Sequence, residues 1–176
     1  GTVSGNTADV DGGGIFNDNV STLTVINTTV SGNTAGDDAG GIINDHGSTA
    51  MITNTTVTGN DAGDDAGGIR NFGTTNLFSS TIVNNRAGLN SSPNNLGGGG
   101  VHNFAGTLTL TNSTVSGNVA RTHGSGIFNE FGTVASFSST IANNRADADS
   151  NGSGIGGGVF NLSGATFNFQ NTIIAN

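Results

Sequence analysis

Carboxylates are the most frequent side chains in this sequence that could do chemistry, and they cluster in glycine-rich turns. The tract Gly-Asp-Asp-Ala-Gly-Gly occurs twice, once with Asp37 and Asp38 and once with Asp64 and Asp65. If the two tracts stack on each other, four carboxylates repel one another unless a cation or solvent separates them. Calcium accepts carboxylate oxygens of this kind, so the four residues form a candidate calcium site. The alternative is an acidic edge that faces solvent and keeps the protein soluble.

Groups suited to catalysis are sparse and scattered. Glu130 is the only glutamate, and the four arginines lie in different parts of the chain. His46, His102 and His123 lack the spacing of metal ligands. Hydrolysis of a glycosidic bond needs two carboxylates facing each other across a cleft, and no such pair is indicated. The sequence therefore predicts a protein that is not an enzyme and requires no cofactor. A polysaccharide-active enzyme stays open as a second alternative, because fold alone does not exclude one.

A repeating unit must position these residues. Its opening Gly-Gly-Ile/Val, once Ser-Gly-Ile, recurs after 27, 27, 32, 26 and 32 residues. A nearly fixed period whose extra residues fall in one turn is typical of a solenoid. Each unit holds three short segments, separated by Gly-, Asn- and Thr-rich turns that disfavour helix. We therefore predict an all-β, right-handed parallel β-helix of about six coils with three short strands each. Residues 1–176 are expected to form a single β-helix domain, part of a longer chain.

Alignment of the units assigns apolar residues to three inward-facing columns, in which each side chain is buried against its copies. The first face contributes Ile15, Ile42, Ile69, Val101, Ile127 and Val159. The second contributes Leu23/Val25, Ala50/Ile52, Phe78, Leu108/Leu110, Ala135/Phe137 and Phe167/Phe169, with Asn76 as a polar exception. The third contributes Val3, Val30, Val57, Ile82, Val115, Ile141 and Ile173.

Asparagines recur at the corners of the predicted coils, where an amide can donate to one coil and accept from the next. One ladder comprises Asn17, Asn44, Asn71, Asn103, Asn129 and Asn161. A second comprises Asn6, Asn33, Asn60, Asn85, Asn118, Asn144 and Asn176. A third is expected from Asn27, Asn54, Asn112 and Asn171, with Ser80 and Ser139 as substitutes.

Two columns are predicted to point outwards and to be available for contact. On the first face the column is Phe16, Ile43, Arg70, His102, Phe128 and Phe160. Exposed apolar columns of this kind mark interaction sites. On the third face it is Thr2, Thr29, Thr56, Thr81, Thr114, Thr140 and Thr172. A flat grid of threonines resembles the surface that β-solenoid antifreeze proteins present to ice, and the alternative explanation is that threonine suits an exposed strand.

Charge and composition limit the partners. The net charge of −8 and the isoelectric point near 4.2 argue against nucleic acid or an anionic membrane as a partner. No apolar run reaches the length of a membrane-spanning segment, so direct membrane insertion is not predicted. The chain has no cysteine, so no disulfide framework is available.

The repeat resembles a known family. Gly-Gly-Ile paired with Val/Ile-x-x-Asn is similar to the GGA[I/L/V] and FxxN repeats of chlamydial polymorphic outer membrane proteins, along the whole chain from Val3 to Asn176. Members of that family are autotransported adhesins, so the resemblance implies an extracellular or cell-surface location. The expected function is that of a non-catalytic structural or adhesive module of a bacterial surface protein or filament. Its partners would be other copies of itself, or glycans or proteins of a host or cell surface. Ice binding is the first alternative.

Overall fold

The computed structural model describes residues 1–90, 97–146, 152 and 154–175, and this part of the chain is built from β-strands and turns. The first strands are β1 (Thr2–Ser4), β2 (Thr7–Ala8), β3 (Ile15–Asn17), β4 (Thr22–Ile26), β5 (Thr29–Ser31) and β6 (Thr34–Ala35). Next come β7 (Ile42–Asn44), β8 (Thr49–Thr53), β9 (Thr56–Thr58), β10 (Asp61–Ala62), β11 (Ile69–Asn71) and β12 (Thr74–Phe78). They are followed by β13 (Thr81–Val83), β14 (Arg86–Ala87), β15 (Val101–Phe104), β16 (Thr107–Thr111), β17 (Thr114–Ser116) and β18 (Val119–Ala120). The last are β19 (Ile127–Glu130), β20 (Thr133–Phe137), β21 (Thr140–Ala142), β22 (Val159–Asn161), β23 (Thr166–Gln170) and β24 (Ile173–Ala175).

The strands stack into four parallel sheets, so the chain is a parallel β-helix as predicted. The first sheet has the order β22-β19-β15-β11-β7-β3, and the second has the order β23-β20-β16-β12-β8-β4. The third sheet has the order β1-β5-β9-β13-β17-β21-β24. The fourth, β18-β14-β10-β6-β2, consists of two-residue strands that the sequence did not predict. No helix among the described residues has the length and hydropathy needed to cross a membrane.

The inward columns of the first and third sheets are confirmed, and they form one continuous core with the second sheet. Ile42, Ile69 and Ile127 on the first sheet and Val57 and Ile82 on the third are inaccessible to solvent. One position at the end of the third column is wrong. The residue that pairs with Ile141 is Ile174, whereas Ile173 pairs with Thr140. The strand therefore starts one residue later than the alignment of the repeats indicated.

The predicted inward residues of the second sheet are wrong in its third and fifth coils. In the third coil Thr75 and Leu77 point inwards, and in the fifth coil Val134 and Ser136 do so. Consequently Phe78, Ala135 and Phe137 lie on the outer side, as does Asn76, which is not a polar exception in the core. The reason is strand register. Every strand of this sheet begins with a threonine at the same level, and a shift of one residue exchanges the two faces of a strand.

Two inward positions of this sheet are polar, and hydrogen bonds compensate for the burial of their hydroxyl groups. The Thr75 hydroxyl donates to Oδ1 of Asn71 at 2.7 Å and accepts from Nδ2 of Asn44 at 3.2 Å. The hydroxyl of Ser136 lies 3.1 Å from that of Thr172. The core therefore tolerates these polar residues because a neighbouring ladder supplies their partners.

The first two asparagine ladders are confirmed. In the first, Nδ2 of each asparagine donates to Oδ1 of the next, over 2.7–3.0 Å. In the second, the same amide contact is 2.9–3.0 Å long, and the backbone N–H of each residue donates to the same Oδ1. Asn176, predicted as the last member, lies outside the described residues. Each ladder ties the corners of successive coils together.

The third predicted ladder is wrong, because the corner between the second and third sheets is held by hydroxyl groups. Asn27, Asn54, Asn112 and Asn171 have positive φ angles near 50°, and Ser79 and Ser138 occupy the same position in the other coils. The next residue in each coil forms the ladder, in which the backbone N–H groups of Thr55, Ser80 and Ser113 donate to the hydroxyls of Ser80, Ser113 and Ser139. Thr28 and Thr172 occupy the same position in the first and last coils, and the Thr172 hydroxyl reaches the preceding coil at the carbonyl of Ser136. The Ser80 hydroxyl, for example, donates to the carbonyl of Phe78 and accepts from the backbone N–H of Thr55. Asparagine is suited to the position before it, since its side chain tolerates the left-handed conformation.

The second glycine of the repeated opening lies where neighbouring coils approach each other closely. A Cβ atom at Gly68 would lie 2.4 Å from the carbonyl oxygen of Gly100, which belongs to the next coil. At Gly41 the distance to the corresponding oxygen of Gly68 is also 2.4 Å. No side chain fits in this space, so the repeat requires glycine there.

Candidate functional site

Three aspartates in successive coils form a ladder of carboxylates beneath the glycine-rich turns. Oδ1 of Asp11 accepts from the backbone N–H of Asp38 at 3.1 Å, and Oδ1 of Asp38 accepts from that of Asp65 at the same distance. Oδ1 of Asp65 in turn accepts from the N–H of Gly97 at 3.0 Å. The carboxylates thus hold the turns of neighbouring coils together, which the repeated Asp-Asp tract indicated only in part.

Arg70 neutralises part of this ladder. Its guanidinium forms an ion pair with Asp38, and its Nη1 lies 3.8 Å from Oδ2 of Asp65. The same guanidinium lies 4.9 Å from the ring centroid of Phe72, in a cation–π contact. Since only 14% of the Arg70 side chain is exposed, its charge is directed towards the ladder and not to solvent.

Burial shifts the pKa of two members of this group. It lowers the pKa of Arg70 to about 10, although the nearby carboxylates of Asp11, Glu130 and Asp37 oppose that change. It raises the pKa of Asp11 above its ordinary value, an effect that Arg70 opposes and Asp37 reinforces. Both shifts disfavour the charged form, so this part of the fold holds its charges at a cost in free energy.

His102 extends the charged group into the next coil and is completely buried. Its Nδ1 lies 3.4 Å from Oδ2 of Asp65, and its Nε2 lies 3.1 Å from Oε2 of Glu130. The imidazole also stacks on the ring of Phe128, with centroids 4.7 Å apart. An imidazole between two carboxylates has the composition of a catalytic relay. Here, however, all of its edges are occupied by protein, so no substrate atom can reach it.

The outward column of the first face was predicted to be exposed, and this is wrong for its central members. Ile43, His102 and Phe128 are buried and Arg70 is largely buried, whereas Phe16 at the first coil is 48% exposed and Phe160 at the last is partly exposed.

The turn that precedes each first-sheet strand covers this column. A Cβ atom on Gly98 would lie 2.7 Å from Cβ of His102, and one on Gly124 would lie 2.7 Å from Cβ of Phe128. Ala39 and Ala66 form a small buried cluster with Ile43 in the same way. The backbone of the turn therefore closes over the column, and the column becomes a second, outer core instead of a contact surface.

The four predicted calcium ligands do not converge on one point. Asp38 and Asp65 belong to the ladder and face Arg70, Asp37 is exposed, and Asp64 is partly buried. In the described ranges, no group of three or more His, Cys, Asp or Glu side chains is arranged to hold a metal ion. The calcium site therefore stays a prediction.

The threonine column of the third sheet is aligned for six of its seven predicted members. Thr2, Thr29, Thr56, Thr81, Thr114 and Thr140 pair in register from strand to strand. Thr172 was predicted wrongly. It belongs to the hydroxyl ladder, where its Oγ1 donates to the carbonyl of Ser136 at 3.0 Å, and Ile173 takes its place beside Thr140.

The outer side of the second sheet is a second ordered surface, which the sequence analysis missed. Its first column is threonine in all six strands: Thr22, Thr49, Thr74, Thr107, Thr133 and Thr166. Its middle column is Thr24, Met51, Asn76, Thr109, Ala135 and Asn168, and its third is Ile26, Thr53, Phe78, Thr111, Phe137 and Gln170. The signal in the sequence was the threonine that starts each five-residue strand. We call this surface the second-sheet face.

Charge is absent from the strands of both the second and the third sheet. Their 13 strands contain no Asp, Glu, Lys, Arg or His. The charged residues that the structure describes lie on the first and fourth sheets and in the turns, for example Asp61, Arg86 and the Asp11 ladder. The rod therefore has an acidic side and an uncharged side.

A row of aromatic rings crosses four coils at the corner after the first sheet. His46 stacks on Phe72 with centroids 4.6 Å apart, and Phe72, Phe104 and Phe131 follow in edge contacts of 5.6 and 6.0 Å. The row connects neighbouring coils at this corner, while Phe131 at one end is 58% exposed and His46 at the other end is also exposed.

No protein-family model, curated protein or solved structure matches this chain.

Proposed function

We propose that this chain is a non-catalytic structural or adhesive rod that acts at the cell surface or outside the cell. The observation that carries the proposal is the separation of charge. The second and third sheets together offer an uncharged surface, and Ile26, Met51, Phe78 and Phe137 on the second-sheet face are between 39% and 53% exposed. Exposed apolar groups collected on one side of a protein mark an interaction surface.

The ladders support this proposal mechanically. Amide, hydroxyl and carboxylate ladders connect successive coils at different corners, so the uncharged side is held as a regular lattice. A rigid surface loses little conformational entropy when it makes contact, which favours adhesion. The enzyme alternative has less support, because His102, Asp65 and Glu130 are enclosed by the fold.

Adhesion can be tested with two double variants that add equal charge. Thr74→Glu/Thr107→Glu places two carboxylates in neighbouring coils of the second-sheet face, and Thr7→Glu/Thr34→Glu does so on the fourth sheet. All four threonines are exposed. Beads coated with each protein would be tested for retention on surfaces carrying the same chain or a neutral polysaccharide. We expect beads coated with the wild type or with Thr7→Glu/Thr34→Glu to be retained, and beads coated with Thr74→Glu/Thr107→Glu to lose retention. Equal retention of both variants, or none by the wild type, would contradict the proposal.

Ice binding is a second candidate, favoured by the six aligned threonines of the third sheet. Neighbouring coils of a β-sheet are about 4.8 Å apart, and outward residues of one strand are about 6.7 Å apart. Hydroxyl groups at such regular spacings on an uncharged surface could match ordered water. The measurement is thermal hysteresis at millimolar protein. Thr56→Tyr/Thr114→Tyr should abolish it, and Thr7→Tyr/Thr34→Tyr should not. Ordinary ice growth with the wild type would eliminate this candidate.

A further inference from the structure

The third column of the second-sheet face alternates between large and small side chains along the rod. In coil order it reads Ile26, Thr53, Phe78, Thr111, Phe137 and Gln170. The three large apolar members are 53%, 48% and 39% exposed, and each has a smaller or polar neighbour in the adjacent strand. The surface therefore has apolar projections separated by gaps one coil wide.

Such a column is complementary to its own copy in reverse order. The sheet has six strands, so when a second copy runs antiparallel, each odd-numbered strand faces an even-numbered one. Phe78 then faces Thr111 of the second copy, Phe137 faces Thr53, and Ile26 faces Gln170. A two-fold axis along the strand direction generates this arrangement, and each contact occurs twice, as in an isologous dimer.

The other two columns fit the same arrangement. In the middle column the antiparallel order places Met51 opposite Ala135, so its largest side chain meets its smallest. In the first column threonine faces threonine at every level. A parallel arrangement about an axis along the rod would instead place Met51 against its own copy, which the gaps do not accommodate.

We propose that the partner of the second-sheet face is a second copy of this chain, packed antiparallel through that face. This inference rests on the proposed structural or adhesive role, and it names the partner and the surface. Electrostatics favour this surface over the first and fourth sheets, because each copy has a net charge of −8 and the strands of the second sheet contribute none of it. The third sheet is also uncharged, but its three-residue strands offer a narrower face than the five-residue strands of the second.

The size of the face indicates a weak dimer. Six strands spaced by about 4.8 Å, each with five residues of about 3.3 Å rise, span roughly 29 by 17 Å. Two such faces bury on the order of 1,000 Å², which is near the lower limit for a specific interface. Association should therefore occur in the micromolar range, and added salt should strengthen it because salt screens the repulsion between the two acidic rods.

Sedimentation equilibrium of the whole chain over a range of concentrations tests this proposal with a matched pair of variants. Phe78 and Phe16 are both 48% exposed, but Phe16 lies on the first sheet. Phe78→Glu should weaken dimerisation by about a hundredfold, since the two-fold axis applies the change twice. Phe16→Glu should leave it unchanged. A wild type that stays monomeric at about 1 mM, or equal effects of the two variants, would overturn the proposal.

Cross-linking tests the antiparallel order separately, because the chain has no cysteine of its own. In the antiparallel dimer Ile26 of one copy faces Gln170 of the other, whereas the two Ile26 residues lie about 24 Å apart along the rod. A short bis-maleimide should therefore join Ile26→Cys to Gln170→Cys in a mixture and should not join Ile26→Cys to itself. Self-linking of Ile26→Cys without the mixed product would overturn the antiparallel arrangement.

Failure of this inference is distinguishable from failure of the proposed function. A monomeric protein that still adheres to the polysaccharide surface would overturn the dimer and leave the adhesive role. A protein that dimerises in solution and binds the chain-coated surface but not the polysaccharide would support the dimer and remove adhesion to glycans. Circular dichroism of each variant confirms that the β-helix is intact.

Discussion

Removal of one amide from the interior of the second asparagine ladder should destabilise the fold far more than an ordinary substitution. The Asn118 side chain is fully buried, and Nδ2 donates to Asn144 Oδ1 and to the carbonyl of Ile82, both at 3.0 Å. Its Oδ1 accepts from both the backbone N–H and Nδ2 of Asn85, again at 3.0 Å. Asn118→Ala removes these four bonds. At about 1 kcal/mol each they amount to about 4 kcal/mol, and the stranded N–H of Asn85 adds about 1–3 kcal/mol.

The same ladder supplies the control. Asn6 is at its exposed end, where the side chain donates one bond, to Oδ1 of Asn33 at 2.9 Å. Asn6→Ala should therefore cost about 1 kcal/mol or less. Urea denaturation followed by far-ultraviolet circular dichroism measures both free energies of unfolding. If the two variants lose the same stability, the hydrogen bonds of the ladder do not hold the coils together and the reasoning is refuted.

Four further substitutions, one of them a control, test the glycine pairs and the buried charges. Gly68→Ala should cost about 2–3 kcal/mol, because its Cβ would lie 2.4 Å from the next coil, whereas Gly158→Ala, with a side chain 3.2 Å away, should cost less than about 1 kcal/mol in the same denaturation. Asp11→Asn keeps the oxygen that accepts from the next coil and removes a carboxylate whose pKa is raised by burial, so it should raise the melting temperature at pH 7. That gain should disappear as the pH falls below 3.8, where the wild-type carboxyl is protonated in both states. Arg70→Met should cost about 3 kcal/mol, since it leaves the aspartate ladder without its buried counter-ion, and an unchanged urea midpoint would show that the ion pairs contribute nothing.

The part of the fold that could be predicted from the sequence is the part in which one residue type recurs at one position. The Gly-Gly-Ile/Val openings and the first two asparagine series have this property, and their columns and hydrogen bonds are confirmed. In the second sheet, no single residue type recurs at the inward positions. In TTNLF and TVASF the large apolar residues Phe78 and Phe137 end the segment, so hydrophobicity favoured the wrong face, and only the threonine at the start of each strand identified the register.

The candidate site was less predictable, because its burial depends on backbone that has no side-chain signal. Whether His102 or Phe128 faces solvent is decided by the turn before the strand, where the backbone of Gly98 or Gly124 lies against the side chain. The ladder of Asp11, Asp38 and Asp65 likewise depends on N–H groups of the following coil. Acidic residues in a turn are therefore interpreted from the sequence as solvent-facing or calcium-binding, although Asp11, Asp38 and Asp65 each accept a hydrogen bond from a backbone N–H of the following coil.

Stacking within one chain favours uniform columns, because identical side chains in neighbouring strands pack alike. The inner columns of the first and third sheets, which are isoleucine and valine, and the first threonine column of the second-sheet face follow that rule. The third column does not, since Phe78 stands between Thr53 and Thr111, and nothing in the interior of the rod requires the alternation. Each exposed phenylalanine also leaves apolar area in water, which is unfavourable in an isolated rod. An alternation that stacking does not explain, on the side of the molecule without charge, is expected if a second surface supplies the missing contacts.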